Sequence, residues 1–140
     1  MNVTFNIRLN KPQQDMLALI EKNKFVFAAM SRQIGKSVLC KVLCTKWLLE
    51  PNNEIGYVTP SLKLAKKFFN DLTSVIPESL LVKSNASDLV IQSITGSTLY
   101  FYSAEQGNRI RGNTFDYLIL DEAAFYKEDT GANHIWYSIL

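Results

Sequence analysis

Cysteine and histidine are scarce in this sequence, with two of the first and one of the second among 140 residues. A structural zinc site takes four such ligands, and His134 stands far along the chain from Cys40 and Cys44, outside any ligand spacing. The two cysteines, four apart in a stretch of helical periodicity, are therefore read as small buried side chains sharing one helix face. Long hydrophobic runs are also lacking, and none approaches the ~20 residues of a membrane span. The N-terminus carries no leader-like pattern, so a reducing, cytoplasmic setting is expected. Excess charge of one sign is missing as well. Fifteen Lys and Arg against thirteen Asp and Glu leave +2, too little for composition alone to indicate nucleic-acid binding. No repeat, low-complexity tract or linker interrupts the chain. A hydrophobic fraction of 47% with 20% charged residues supplies the apolar surface of one globular domain and argues against general disorder.

What is present is an alternation of helical and strand patterns. Met16, Leu17, Leu19 and Ile20 recur at helical spacing behind Pro12, which suits a first turn, so a helix is expected over residues 11–20. Residues 25–30, Phe-Val-Phe-Ala-Ala-Met, form a continuous apolar run, the pattern of a strand buried on both faces of a parallel sheet. Val38, Leu39, Val42, Leu43 and Trp47 predict a helix from Lys36 to about Leu49, stopped by Pro51-Asn52-Asn53. Residues 54–59 read as a second strand. Residues 62–75, with Leu64, Ala65, Phe68, Phe69 and Leu72, read as a second amphipathic helix, completing a βαβα succession. Residues 89–91 and 98–102 flank Thr95-Gly96-Ser97 and predict an inserted antiparallel hairpin. Residues 116–120 form the last clear strand. The apolar pattern still continues at Ile135-Trp136-Tyr137-Ser138-Ile139-Leu140, which suggests the N-terminal part of a longer protein.

Two motifs carry chemistry. In Ser31-Arg32-Gln33-Ile34-Gly35-Lys36-Ser37, the last three residues match the end of the Gly-x4-Gly-Lys-Ser/Thr phosphate loop, while Met30 occupies the place of its first glycine. Successive backbone N–H groups and a helix N-terminus bind phosphate oxygens, and a glycine lets the backbone approach them. Lys36 would carry charge to the β- and γ-phosphates of ATP, and the Ser37 hydroxyl would ligate Mg²⁺. Gly-Lys-Ser alone is a weak signal; its place between an apolar run and a helix strengthens it. The second motif is Leu118-Ile119-Leu120-Asp121-Glu122, an apolar strand ending in two acids that strand alternation points apart. Asp121 would hold the Mg²⁺ and Glu122 would polarise the attacking water. By itself the pair also fits two solvated acids at a strand end; the upstream loop makes that coincidence improbable. Together these features predict an α/β fold, a P-loop (RecA-like) three-layer sandwich with a mostly parallel sheet.

The loop, with an arginine inside and no leading glycine, resembles the deviant Walker A of the large terminase subunit of tailed double-stranded-DNA bacteriophages, in its T-even-like branch. Pro12-Gln13-Gln14-Asp15-Met16-Leu17 is similar to that family's adenine-reading Q motif. Arg109-Ile110-Arg111-Gly112-Asn113-Thr114-Phe115-Asp116 is similar to the segment before its Walker B, and Leu118-Ile119-Leu120-Asp121-Glu122-Ala123-Ala124-Phe125 to the Walker B itself. The resemblance implies a motor that uses ATP to move viral DNA into an empty capsid in the host cytoplasm. It implies as partners double-stranded DNA, a portal protein, a small terminase subunit and further copies of the chain in a ring. By the same resemblance Gln13 would bond the adenine edge, the loop residues Ser31, Arg32, Gln33, Ile34, Gly35, Lys36 and Ser37 would contact nucleotide, and Arg32 would stabilise the γ-phosphate in cis. Arg111 matches an arginine-finger position, with turn anchoring and DNA phosphate contact as the competing readings. The coupling motif and the nuclease domain that complete large terminases are absent from residues 1–140, which are expected to form a truncated N-terminal ATPase domain.

Two other functions compete. A superfamily-2-like helicase or translocase shares the Q motif, the Gly-Lys-Ser loop and the Asp-Glu pair, although its box usually continues Asp-Glu-x-His, whereas Ala123 and Ala124 follow here. A non-catalytic nucleotide-binding fragment would show binding without turnover.

Overall fold

The computed structural model describes residues 4–110 and 112–126, and the chain divides into two compact units, residues 1–43 and 44–140. In the first unit, helix α1 (Lys11–Lys22) starts at Asn10, whose extended backbone and side-chain oxygen cap it, with proline in the first turn. Asn10 and Gln13 form a reciprocal capping box, which satisfies N–H groups that a helix start leaves without intrahelical partners.

The run at residues 25–30 departs from expectation. It forms no strand, and Phe25 and Phe27 are 84% and 92% exposed. A strand buried on both faces depends on hydrogen-bonded neighbours and covering helices. The apolar pattern shows what the segment is suited to, but a ladder partner has to come from elsewhere in the molecule.

Helix α2 (Lys36–Leu49) spans the boundary between the units with the predicted limits. Its buried stripe is Leu39, Cys40, Leu43, Cys44, Trp47 and Leu48, so both cysteines are core residues as their spacing suggested. The last carbonyls of α2 find side-chain donors. Asn53 Nδ2 donates to Trp47 O at 3.0 Å and Thr95 Oγ1 to Leu48 O at 2.7 Å, while Ser97 Oγ donates to Glu50 O just beyond the helix.

The second unit is built on a five-stranded sheet in the order β2-β3-β4-β1-β5, with β1 (Glu54–Thr59), β2 (Leu81–Asn85), β3 (Val90–Ser93), β4 (Thr98–Ser103) and β5 (Tyr117–Leu120). Strand β1 pairs in parallel with both β4 and β5, and β3 runs antiparallel to β2 and to β4. Four strands thus share one direction and β3 alone opposes them. The predicted hairpin exists, but it is not an insertion: β4 lies beside β1 in the sheet centre. Strand β2, which the sequence did not signal, forms one edge, with a register shift between Leu81 and Lys83.

Strand alternation puts Tyr57, Phe101 and Ile119 on one face, in register across β1, β4 and β5. Helix α3 (Leu62–Thr73), capped by Ser61, covers this face: Phe68 stacks on Tyr57 at 3.9 Å and Phe69 meets Phe101 edge-on at 5.3 Å. Trp47 stacks on Tyr117 at 4.3 Å. Burying each such side chain contributes ~1.5–3 kcal/mol. On the opposite face Val58, Tyr102, Ala104, Ile110 and Tyr126 form a second cluster, with Phe115, Leu118 and Leu120 packed against it.

Candidate functional site

The loop at Ser31 lies within the first unit. Ser31 is extended, Arg32–Ile34 make a single 3-10 turn, and Gly35 is left-handed at φ 81 and ψ 38. Helix α2 begins at the next residue, its first turn closed by Val38 N–H and Leu39 N–H donating to Gly35 O at 3.1 and 3.2 Å. A left-handed residue is what changes the chain direction between the turn and the helix, and glycine adopts it without steric cost. Glycine is needed on a second count: a Cβ here would stand 2.6 Å from Gln13 Nε2. Ser31, Arg32, Gln33 and Ser37 are exposed, and Ile34, Gly35 and Lys36 half-buried. This is a helix start preceded by a compact turn, the arrangement whose N–H groups and dipole favour an anion.

Gln13 is brought to this loop. It is 4% exposed, and its Nε2 donates to Gly35 O at 2.8 Å. Asn10 joins it, with Nδ2 donating to Ile34 O at 3.1 Å. Sequence reasoning did not single out Asn10 as a site residue, although Asn10-x-x-Gln13 is a readable capping-box pattern.

The acidic pair lies within the second unit. Asp121 N–H donates to Val58 O at 2.9 Å, carrying the β5 to β1 ladder one residue past Leu120. Being two residues beyond Ile119, Asp121 shares the face of Tyr57, and Tyr57 Oη donates to Asp121 Oδ2 at 2.6 Å. Tyr57 is itself 1% exposed and stacked on Phe68, so a rigid donor sets the orientation of the carboxylate. No sequence signal marked Tyr57, because only the register of β1 against β5 brings it there.

Glu122 does not continue the strand. It is left-handed at φ 53 and ψ 39 and opens the 3-10 turn Ala123–Phe125, closed by Phe125 N–H donating to Glu122 O at 2.9 Å. The expectation that alternation alone separates the two acids is thus corrected: a backbone reversal at Glu122 does so. A left-handed non-glycine residue stores strain, a feature enriched at functional sites. Beneath the turn, Tyr126 Oη donates to Val58 O at 3.1 Å. Burial first, and then the charges of Asp121 and Glu122, push the Tyr126 hydroxyl well above its ordinary value.

Before β5, Ile110 and Asn113 are each held in place. Ile110 is buried in the second cluster, and Asn113 Nδ2 donates to Tyr102 Oη at 2.9 Å and to Arg109 O at 3.2 Å. Asp116, expected inside the strand, instead anchors its start: its N–H donates to Glu54 O and its Oδ2 accepts from Glu54 N–H, both at 2.8 Å. Arg111, the predicted finger, lies outside the described residues.

Compared with known sequences, residues 28–136 match the family described as terminase large subunit, T4likevirus-type, N-terminal. The chain belongs to that family. The terminase large subunit of Escherichia phage T5 is 34% identical over 119 residues, covering 82% of this chain and 27% of the phage protein. Tripartite terminase subunit 3 of Saimiriine herpesvirus 2 is 26% identical over 130 residues, covering 87% of this chain and 19% of the viral protein. The terminase chain thus spans about a quarter or less of the length of these relatives. Among solved structures, the large terminase ATPase domain of Thermus phage P74-26 matches with a TM-score of 0.62 at 21% identity, covering 77% of this chain and 51% of that one. A mutant of the same domain matches with a TM-score of 0.67 at 19% identity, covering 87% and 58%. The terminase chain therefore has the α/β fold of terminase ATPase domains, and the fold class read from its motifs holds.

Proposed function

We propose that this chain binds ATP and, with Mg²⁺, hydrolyses it to drive double-stranded viral DNA into a procapsid, as the N-terminal motor portion of a large terminase. The observation that carries this reading is the left-handed Gly35 between a compact turn and the start of α2. Lys36 and Arg32 bring positive charge to the β- and γ-phosphates, and the backbone around Ile34 and Gly35 holds the phosphate oxygens. The adenine contact expected of Gln13 competes with the bonds its amide already makes, to Asn10 N–H and to Gly35 O. Glu122 takes the proton of the attacking water, and the turn that sets it off from Asp121 leaves the two carboxylates separate tasks.

The donor chemistry fits Mg²⁺. Asp121 is a half-buried carboxylate oriented by Tyr57, and Ser37 is an exposed hydroxyl at the start of α2. Among the described residues no three His, Cys, Asp or Glu side chains cluster into a metal cage, and Mg²⁺ typically takes one or two protein oxygens and completes its shell with water and phosphate. When bound, the ion neutralises charge developing on the transferred phosphoryl group.

A portal protein, a small terminase subunit and further copies of the chain in a ring are the proposed partners, and the infected host cytoplasm the proposed setting. Among the described residues no helix is long and apolar enough to cross a membrane. Arg111 enters the neighbouring subunit's nucleotide site in that ring. The primary test is ATP turnover of the full-length protein carrying Glu122→Gln. Loss of a positioned base lowers the rate by about 10²-fold or more; undiminished hydrolysis removes the assignment. Mixing Arg111→Ala with Glu122→Gln subunits is expected to restore part of the activity, and no recovery at any ratio speaks against action in trans.

A further inference from the structure

We propose that Asn10 and Gln13 are positioning residues that set the geometry of the loop, an inference that rests on its being the phosphate site. In an ordinary capping box the two side chains serve only their own helix. Here each primary amide is divided between two tasks. The oxygens stay with α1: Asn10 Oδ1 accepts from Gln13 N–H at 3.0 Å, and Gln13 Oε1 from Asn10 N–H at 2.9 Å. The nitrogens reach 24 and 22 residues along the chain, to the consecutive carbonyls of Ile34 and Gly35, at 3.1 and 2.8 Å.

The consequence follows from peptide planarity. In a trans peptide the C=O and the N–H of the next residue point in opposite directions. Holding the Ile34 carbonyl toward the start of α1, and adding a bond to the Gly35 carbonyl that also closes the first turn of α2, therefore helps direct the N–H groups of Gly35 and Lys36 away from the start of α1. The missing Cβ of Gly35 gives Gln13 its room, since that atom would stand 2.6 Å from Nε2. The Gln13 amide is nearly closed to solvent, which shields its bond to the loop from competing water. The clamp recognises no base. It supports any bound triphosphate, in contrast to a contact with the adenine edge, which supports ATP alone.

The test is calorimetric titration of the full chain with ATP and with inorganic tripolyphosphate, each with Mg²⁺, alongside thermal melting. Asn10→Ser keeps a capping oxygen but loses the amide donor. It is expected to melt nearly as the parent does while weakening both ligands about three- to tenfold. Gln13→Glu keeps the acceptor for Asn10 N–H, loses the donor to Gly35 O, and is expected to weaken both ligands at least as much. Gln14→Glu places the same charge one residue away and is expected to leave both affinities unchanged. Parent-like binding by Asn10→Ser overturns the clamp. So does a Gln13→Glu defect confined to ATP, or an equal defect in Gln14→Glu. Lys36→Ala separates the two layers of inference: if it binds tripolyphosphate as the parent does, the phosphate reading fails and takes the clamp with it. If it loses binding while Asn10→Ser keeps it, the clamp alone fails.

Discussion

The left-handed residues Gly35 and Glu122 obey opposite logics. Gly35 is the residue its conformation calls for, and Gly35→Ala would meet both the φ 81 backbone and Gln13 Nε2. We expect a loss of about 1–3 kcal/mol, measured as a lower urea midpoint, together with weakened ATP binding. Glu122 is the converse: a side chain held at φ 53 where glycine would be easier. Glu122→Gly is expected to stabilise the fold by about 1 kcal/mol while turnover is lost. A variant that is both less stable and inactive would show that Glu122 has a packing role instead. Tyr57 gives a third case at this scale. Tyr57→Phe removes a hydrogen bond to a carboxylate, worth about 1.5–3 kcal/mol. A double-mutant cycle with Asp121→Asn is expected to show that the two changes are not additive.

At the scale of elements, the helices were legible because their signals are local. Apolar residues at three and four, Pro12 in the first turn of α1, and Pro51 after the last turn of α2 all act within a few residues of themselves. Strands β1 and β5 were legible for a similar reason, as short apolar runs bounded by polar residues. Strand β2 was not, since Val82, Lys83 and Ser84 are all exposed and carry no apolar alternation; it forms because β3 offers an edge. Residues 25–30 erred the other way, with an apolar pattern and no ladder. The site divides along the same line. The loop and the Asp-Glu pair announce themselves by residue type, whereas Asn10 and Tyr57 owe their places to contacts 24 and 64 residues away. The turn between β3 and β4 offers a test of such a long-range tie. Ser97 is fully buried, accepts from Asn53 N–H at 2.8 Å and donates to Glu50 O. Ser97→Ala is expected to cost about 2 kcal/mol, read as a shift in urea midpoint, and a neutral result would show that α2 ends without it.

For the whole molecule, alkaline pH acts through tyrosine. Burial is the leading cause that raises Tyr100, Tyr102, Tyr117 and Tyr126 above the ordinary value of 10.0. The folded chain then holds these protons more tightly than the unfolded chain does. Their contribution to stability is complete below pH 10.0 and declines as pH rises past it toward the folded values. Denaturation midpoints are expected to fall above that pH, and to fall less in Tyr126→Phe; equal slopes in the two proteins would exclude Tyr126 from the effect.

The register shift in β2 bears on how the protein behaves in concentrated solution. An edge strand offers unpaired main-chain groups to any other chain that can lie along it. This one is five residues long, irregular at its start, and carries Lys83 among exposed positions, all of which discourage a second copy from docking there. Replacing Lys83 with valine would leave Val82 and a new apolar neighbour facing water on that edge. The protein would then keep its fold, and its copies would associate more readily along that edge.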